Sequence, residues 1–261
     1  HKPDRRQRQM CIRDSNGGDG FVIAELFRQK NIDVDLYFFG NSKESNDVLL
    51  KAIKGYKGKV KNFDNFKIQQ DSLIIDAIFG VGLKRDIEGN YAIIIEQVNK
   101  SDNRVVSIDL ASGIDADNGQ IRNIAIKADL TISFARKKLG HILYPGCINT
   151  GELIIKDIGI KSEFIDNQNI DVFENSPDLW QSHLPKLDIN TNKYDRGFVM
   201  VKAGTIEMTG AAKLVSYASL RAGAGLAAIA CSEDLINMYN SCLISVMTRK
   251  CDNINDWDRI I

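Results

Sequence analysis

The sequence predicts an α/β protein with a mostly parallel sheet covered by helices on both faces. Three observations predict it. Apolar runs of strand length, such as Ser72–Phe79 and Arg104–Leu110, have the look of strands buried on both sides. Helix-like segments alternate with them, the pattern of a parallel sheet. The run Asn16-Gly17-Gly18-Asp19-Gly20 stands directly before an apolar helix-like stretch. Without Cβ atoms such a backbone turns sharply and approaches a ligand, and amides at the helix start can face an anion.

The elements follow in order. Residues 1–15, HKPDRRQRQMCIRDS, are basic and show no apolar period. No strand is expected there, so the glycine run is expected to lack the strand that usually holds it, and 1–15 reads as foreign to the domain. Phe21–Lys30 reads as a helix, and Ile32, Val34, Leu36 and Phe38 alternate as a strand. Asp47–Gly55 reads as a helix, Ser72–Phe79 as a strand and Tyr91–Asn99 as a helix. Strands follow at Arg104–Leu110, Asp129–Phe134 and Glu152–Ile158. Lys161–Asn192 is polar and strand-poor, with Pro177 and Pro185, and reads as a linker. A second pattern follows: strand Phe198–Lys202, a glycine loop at Gly204, helix Thr209–Ala222, and strand Leu226–Cys231 after Gly223 and Gly225. The residues after Ser232 are too few to finish a second core of ordinary size. The expected division is 1–15, a domain at 16–175, a linker at 176–191 and an incomplete domain at 192–261.

Composition narrows the function. The chain has 261 residues, 44% hydrophobic and 26% charged, with 34 basic against 34 acidic side chains. That balance points away from nucleic acid and from a basic membrane surface. No run has the length of a membrane span or a secretory segment. The five scattered cysteines form no CxxC pair and the three histidines are dispersed. Reduced thiols in a cytoplasmic protein are the expectation, with neither a zinc site nor a disulfide frame.

Parallel α/β sheets place their working residues beyond the carboxyl ends of the strands. Asp76 lies near one such end, before Gly80-Val81-Gly82-Leu83, and Asp109 at another, before Ser112-Gly113. Topology alone expects Asn16, Asp76, Asp109 and Ser112 to gather on one rim. Each aspartate alone could equally cap its own loop.

Here NGGDG, DAIFGVGL, SIDLASGIDADNG and ADLTISFARKKLG come in the order of the NAD(P)H-hydrate epimerase family, the YjeF N-terminal domain. The resemblance covers roughly residues 16–160. Ser15 stands where the family has a first asparagine, Ala111 where it has proline, and Val81 replaces threonine in Gly-Thr-Gly. The resemblance implies a Rossmann-like three-layer sandwich and a substrate, the hydrated form of NADH or NADPH, whose two epimers are interconverted. It implies Asp109 as the catalytic carboxyl. It implies substrate contacts at Ser15, Asn16, Gly17, Gly18 and Asp19, along Gly80, Val81, Gly82, Leu83, Lys84, Arg85 and Asp86, and at Asp109 and Lys138. It also implies a potassium ion on Asn16, Asp76 and Ser112, whose oxygens are hard donors. Lys138 is expected to pair with phosphate or carboxamide, or to be a solvated surface charge. His141 and Tyr144 read as local structure.

Lys193–Gly197, MTGAAKL and LRAGAGL resemble the opening of the ADP-dependent NAD(P)H-hydrate dehydratase domain, a ribokinase-like α/β fold. Thr209, Gly210 and Ala211 match part of its hydrate-binding wall, and small residues there serve helix packing equally well. The site for ADP or ATP is expected beyond residue 261. The expectation is thus part of a bifunctional repair enzyme, an epimerase domain followed by a truncated dehydratase domain, able to form a homo-oligomer. The rival is a non-catalytic ligand-binding or dimerisation module of the same fold. A dinucleotide dehydrogenase is disfavoured, because NGGDG lacks the GxGxxG spacing.

Overall fold

The computed structural model describes residues 8–12, 16–39, 47–62, 66–168, 170–184 and 188–260. The chain divides into two units, His1–Asp171 and Val172–Ile261.

The first unit alternates strand and helix: β1 (Arg8–Ile12), α1 (Asn16–Gln29), β2 (Val34–Phe38), α2 (Asp47–Gly55), β3 (Val60–Lys61), β4 (Leu73–Ala77), α3 (Gly89–Lys100), β5 (Val105–Ile108), β6 (Leu130–Phe134), α4 (Cys147–Thr150), β7 (Glu152–Lys156) and α5 (Ser162–Asp166). The strands form one seven-stranded sheet in the order β3-β2-β1-β4-β5-β6-β7. Every pairing in it is parallel. This is the Rossmann-like α/β architecture. The order reverses between β1 and β4, and at such a switch point a crevice opens outside the carboxyl ends of the strands.

Strand periodicity explains the two layers. Neighbouring residues of a strand point to opposite faces. Ile75 and Ala77 of β4 pack with Phe21 and Ala24 of α1 and Leu49 of α2. Ile74 packs on the other side, with Ile94, Ile95 and Val98 of α3. Asp76 shares the parity of Ile74, so a carboxylate enters an otherwise apolar layer.

Two expectations are corrected. Residues 8–12 were expected to form no strand and to lie outside the domain, yet β1 is the inner strand between β2 and β4, in register from Arg8↔Leu73 to Ile12↔Ala77. Its two polar leading residues, Arg8 and Gln9, within a basic stretch hid it. Met10 is fully buried, and so is Gln9. The Gln9 amide donates to the Lys67 carbonyl at 2.6 Å and accepts from the Gln69 amide at 2.9 Å and the Ser72 hydroxyl at 3.0 Å. A buried polar side chain is tolerated once its hydrogen bonds are made. The second correction concerns α1, which begins at Asn16 rather than Phe21. NGGDG is the first turn and a half of the helix and not a loop before it.

The second unit contains α6 (Pro177–Trp180), β8 (Phe198–Lys202), α7 (Thr209–Ala222), β9 (Leu226–Cys231), α8 (Glu233–Cys242), β10 (Met247–Lys250) and α9 (Ile254–Ile260). Its three parallel strands run in the order β10-β9-β8. Residues after Ser232, to which the sequence assigned no element, add Leu235, Tyr239, Leu243 and Val246 to a core with Ala212, Ala227, Ile229 and Cys231. Among the described residues no helix is long and apolar enough to cross a membrane.

Candidate functional site

Asp76 sits one residue before the end of β4 and is fully buried. Its Oδ2 accepts from the Ser107 hydroxyl and the Ser112 amide, both at 2.8 Å. Its Oδ1 accepts from the Ser112 hydroxyl at 2.5 Å and the Ile78 amide at 3.3 Å. The Ser112 hydroxyl in turn accepts from the Phe79 amide at 2.9 Å. Burial pushes the Asp76 carboxyl up, and these hydrogen bonds only partly offset it. No basic side chain pairs with it among the described residues. A buried carboxylate without a counter-charge is costly. Asp76 and Ser112 therefore have the chemistry to hold a hard cation. The Asn16 side chain and all of Ser15 lie outside the described residues.

Asp109 follows β5 directly. Its φ is +65°, a region uncommon for residues with a Cβ though Asp tolerates it better than most. The Leu110 amide donates to the Ile108 carbonyl at 2.9 Å, so Asp109 is the centre of a three-residue γ-turn. The positive-φ form of that turn is rare and strained. Both backbone groups of Asp109 are tied down. Its amide donates to the Ile132 carbonyl of β6 at 2.8 Å, and its carbonyl meets the His141 Nε2 at 2.8 Å.

Among the described residues the Asp109 carboxylate is held through one oxygen. Oδ1 receives the Lys138 ammonium, the Ser133 hydroxyl at 2.9 Å and the Phe134 amide at 3.4 Å. Oδ2 carries no hydrogen bond among the described residues. Lys138 also donates to the Ser133 hydroxyl at 2.8 Å and the Phe134 carbonyl at 3.1 Å. An ammonium has three N–H groups, so all are engaged. The Lys138 ammonium is thus the counter-ion of Asp109 rather than a solvated surface charge.

Asp19, in the first turn of α1, is drawn into the same field. Its carboxyl is pushed up by partial burial and then by the Asp109 charge. The first-turn amides of α1 have no partner within the helix. An added Cβ at Gly18 would meet nothing within 4 Å, and the same is true of Gly82. Neither glycine is required for packing; both leave open space. In the 80–86 loop, Leu83 is buried in the core, while Val81, Gly82, Arg85 and Asp86 are exposed. Lys84 is engaged: its ammonium pairs with Asp117 and lies 3.8 Å from the buried Asp115. Ala211 belongs to the second unit, exposed on the first turn of α7.

Two side chains at this rim escaped the sequence, Ser107 and Ser133, and His141, read as local structure, meets the Asp109 carbonyl. The two serines have zero exposure within apolar strands. A hydroxyl there must find a partner, and that requirement is the signal that could have flagged them.

The arrangement defines a class: a doubly wound α/β domain with two aspartates, one buried and one partly exposed, at the carboxyl edge of its parallel sheet, and a glycine-rich helix start. The chain belongs to the family described as YjeF-related protein N-terminus, whose model matches residues 8–140. It is 31% identical over 239 residues to the bifunctional NAD(P)H-hydrate repair enzyme Nnr of Thermofilum pendens, a match covering 87% of this chain and 44% of that protein. It is 35% identical over 156 residues to the NAD(P)H-hydrate epimerase of Levilactobacillus brevis, covering 57% of this chain and 70% of the relative. The NAD(P)H-hydrate epimerase of Weissella koreensis is 37% identical over 155 residues, covering 57% and 68%. The chain thus spans less than half the length of the bifunctional relatives. The crystal structure of yeast ynu0 (YNL200c) shares the fold, with a TM-score of 0.53 at 19% identity over 67% of this chain and 76% of that one.

Proposed function

We propose that the first unit interconverts the two epimers of hydrated NADH or NADPH, with Asp109 handling the proton. The Asp109 carboxylate, whose Oδ2 carries no hydrogen bond among the described residues, carries this reading beside the α1 start, and the names of the relatives favour an enzyme over a binding module. The ring nitrogen's lone pair expels the hydroxyl as water once it receives a proton, leaving a planar iminium. Water then adds to either face and returns the proton. A positioned carboxyl shuttles it without net consumption. The substrate phosphates would meet the amides of Asn16–Asp19 and of the 80–86 loop. Potassium would be held by Asp76 and Ser112, with Asn16 beside them, and would supply positive charge near the phosphates. In the second unit, Thr209–Ala211 would contribute to the dehydratase half of a bifunctional protein that uses ADP or ATP.

The direct test mixes the protein with one epimer of hydrated NADPH and follows the epimer ratio. Relaxation no faster than in buffer would argue against it. A potassium salt is expected to raise the melting temperature, and choline chloride is not. At about 100 times its Kd an ion bound only by the folded state adds about 2.7 kcal/mol. Asp76→Asn should erase the difference between the salts, and equal melts for wild type would remove potassium from the proposal.

Gly18→Ala separates function from packing. The new methyl enters open space on a helix, so stability should hold or rise by about 0.5–1 kcal/mol. The same methyl occupies the room proposed for substrate, and KM should rise about tenfold or more, equivalent to ~1.4 kcal/mol. An unchanged KM would place the substrate elsewhere.

A further inference from the structure

His141 is almost completely buried in the 3₁₀ turn Leu139–His141. Both ring nitrogens are used. The Lys138 backbone amide approaches Nδ1 at 3.1 Å, and the Asp109 carbonyl lies 2.8 Å from Nε2. An amide can only donate and a carbonyl can only accept. Nδ1 is therefore the bare nitrogen and Nε2 carries the proton. This is a neutral imidazole with one permitted tautomer. Burial pushes its pKa down, with Lys138 and Lys137 acting in the same direction and the Asp109 groups opposing.

We propose that His141 is a positioning residue for the epimerisation: its Nε2–H holds the Asp109 carbonyl in the γ-turn, and its Nδ1 holds the backbone of Lys138. One ring thereby sets both the proton-handling carboxylate and its counter-ion. The need is local. The turn at Asp109 is strained, and a strained turn persists only where its surroundings over-determine it. The amide of Asp109 is fixed by β6. His141 supplies the matching restraint on the carbonyl. Without it, among the described residues, the peptide after Asp109 keeps only the Leu110–Ile108 hydrogen bond of the strained turn itself, and the carboxylate loses one restraint on its orientation. The inference rests on the reading of Asp109 as the proton-handling group.

Three variants test it beside Asp109→Asn. His141→Gln carries an amide N–H where Nε2 stood. His141→Asn instead places its side-chain oxygen near Nδ1. His141→Phe keeps neither group. Loss of orientation is expected to lower kcat about 100-fold in His141→Phe and His141→Asn. KM should stay within about twofold, because the phosphate contacts lie on other loops. His141→Gln should recover most of the rate, although its melting temperature should fall as far as that of His141→Asn. Nitrogen-15 spectra of the wild-type ring should show a bare Nδ1 and a protonated Nε2. The proposal is overturned if His141→Phe keeps its kcat, if Gln and Asn lose rate equally in step with stability, or if the spectra show the opposite tautomer. A harmless Asp109→Asn would instead bring down the reading of Asp109, while a damaging Asp109→Asn with a harmless His141→Phe would bring down this inference alone.

Discussion

Asp109→Asn is expected to lower the epimerisation rate by about 10²–10⁴-fold, the range for loss of a positioned acid–base group. The amide keeps the size of the carboxyl and the γ-turn, since asparagine tolerates positive φ as aspartate does. It cannot shuttle a proton, and it leaves the Lys138 ammonium without its anion. The loss should fall on kcat more than on KM, because the phosphates are proposed to bind at α1 and the 80–86 loop. The side chain is only partly buried, so the unpaired lysine retains some solvent and the fold should survive. Initial rates with purified epimers, together with a melt of the same sample, check both statements. A variant with wild-type kcat would end the assignment.

Gly113→Ala is expected to cost about 3–5 kcal/mol of stability, combining backbone strain with overpacking. Gly113 has φ +105°, and a Cβ there would lie 2.1 Å from the Ile124 carbonyl oxygen and 2.5 Å from the Ala125 Cα. Both obstacles are backbone, so no flexible side chain can yield. The flanking hydrogen bonds, Arg122 amide to Gly113 carbonyl and Ile126 amide to Ser112 carbonyl, both 2.8 Å, would have to open. Domains are commonly stable by only about 5–15 kcal/mol, so this one substitution removes a large share. Ser112 would move with it, disturbing the pair that grips Asp76. Urea unfolding is the measurement, and a change below about 1 kcal/mol would show that the 122–126 segment can move aside.

Much of this architecture was legible without coordinates. The apolar runs around Ile74–Ile75 and Val105–Val106 are strands because both of their faces are covered. The helices at Asp47–Gly55 and Thr209–Ala222 and the strands at Phe198–Lys202 and Leu226–Cys231 have the limits the sequence predicts. Their apolar spacing and terminal glycines are local signals. The placement of Asp76 and Asp109 at strand ends followed from the same logic, because a parallel sheet puts all of its carboxyl ends on one edge. β1 was not legible. Its five residues include Arg8 and Gln9, and nothing local says that Gln69, Ser72 and the Lys67 carbonyl wait beside Gln9.

Chain-local information, then, suffices for the alternation of strand and helix, the parallel sheet and the two aspartates, since periodicity and turn chemistry act over a few neighbouring residues. Folding in three dimensions assigned the partners: Lys138 to Asp109, Ser107 and Ser112 to Asp76, and the His141 ring to the carbonyl behind the carboxylate. A polar side chain commits to whichever donor or acceptor lies within about 3 Å, and here those partners stand 29 to 36 residues away along the chain.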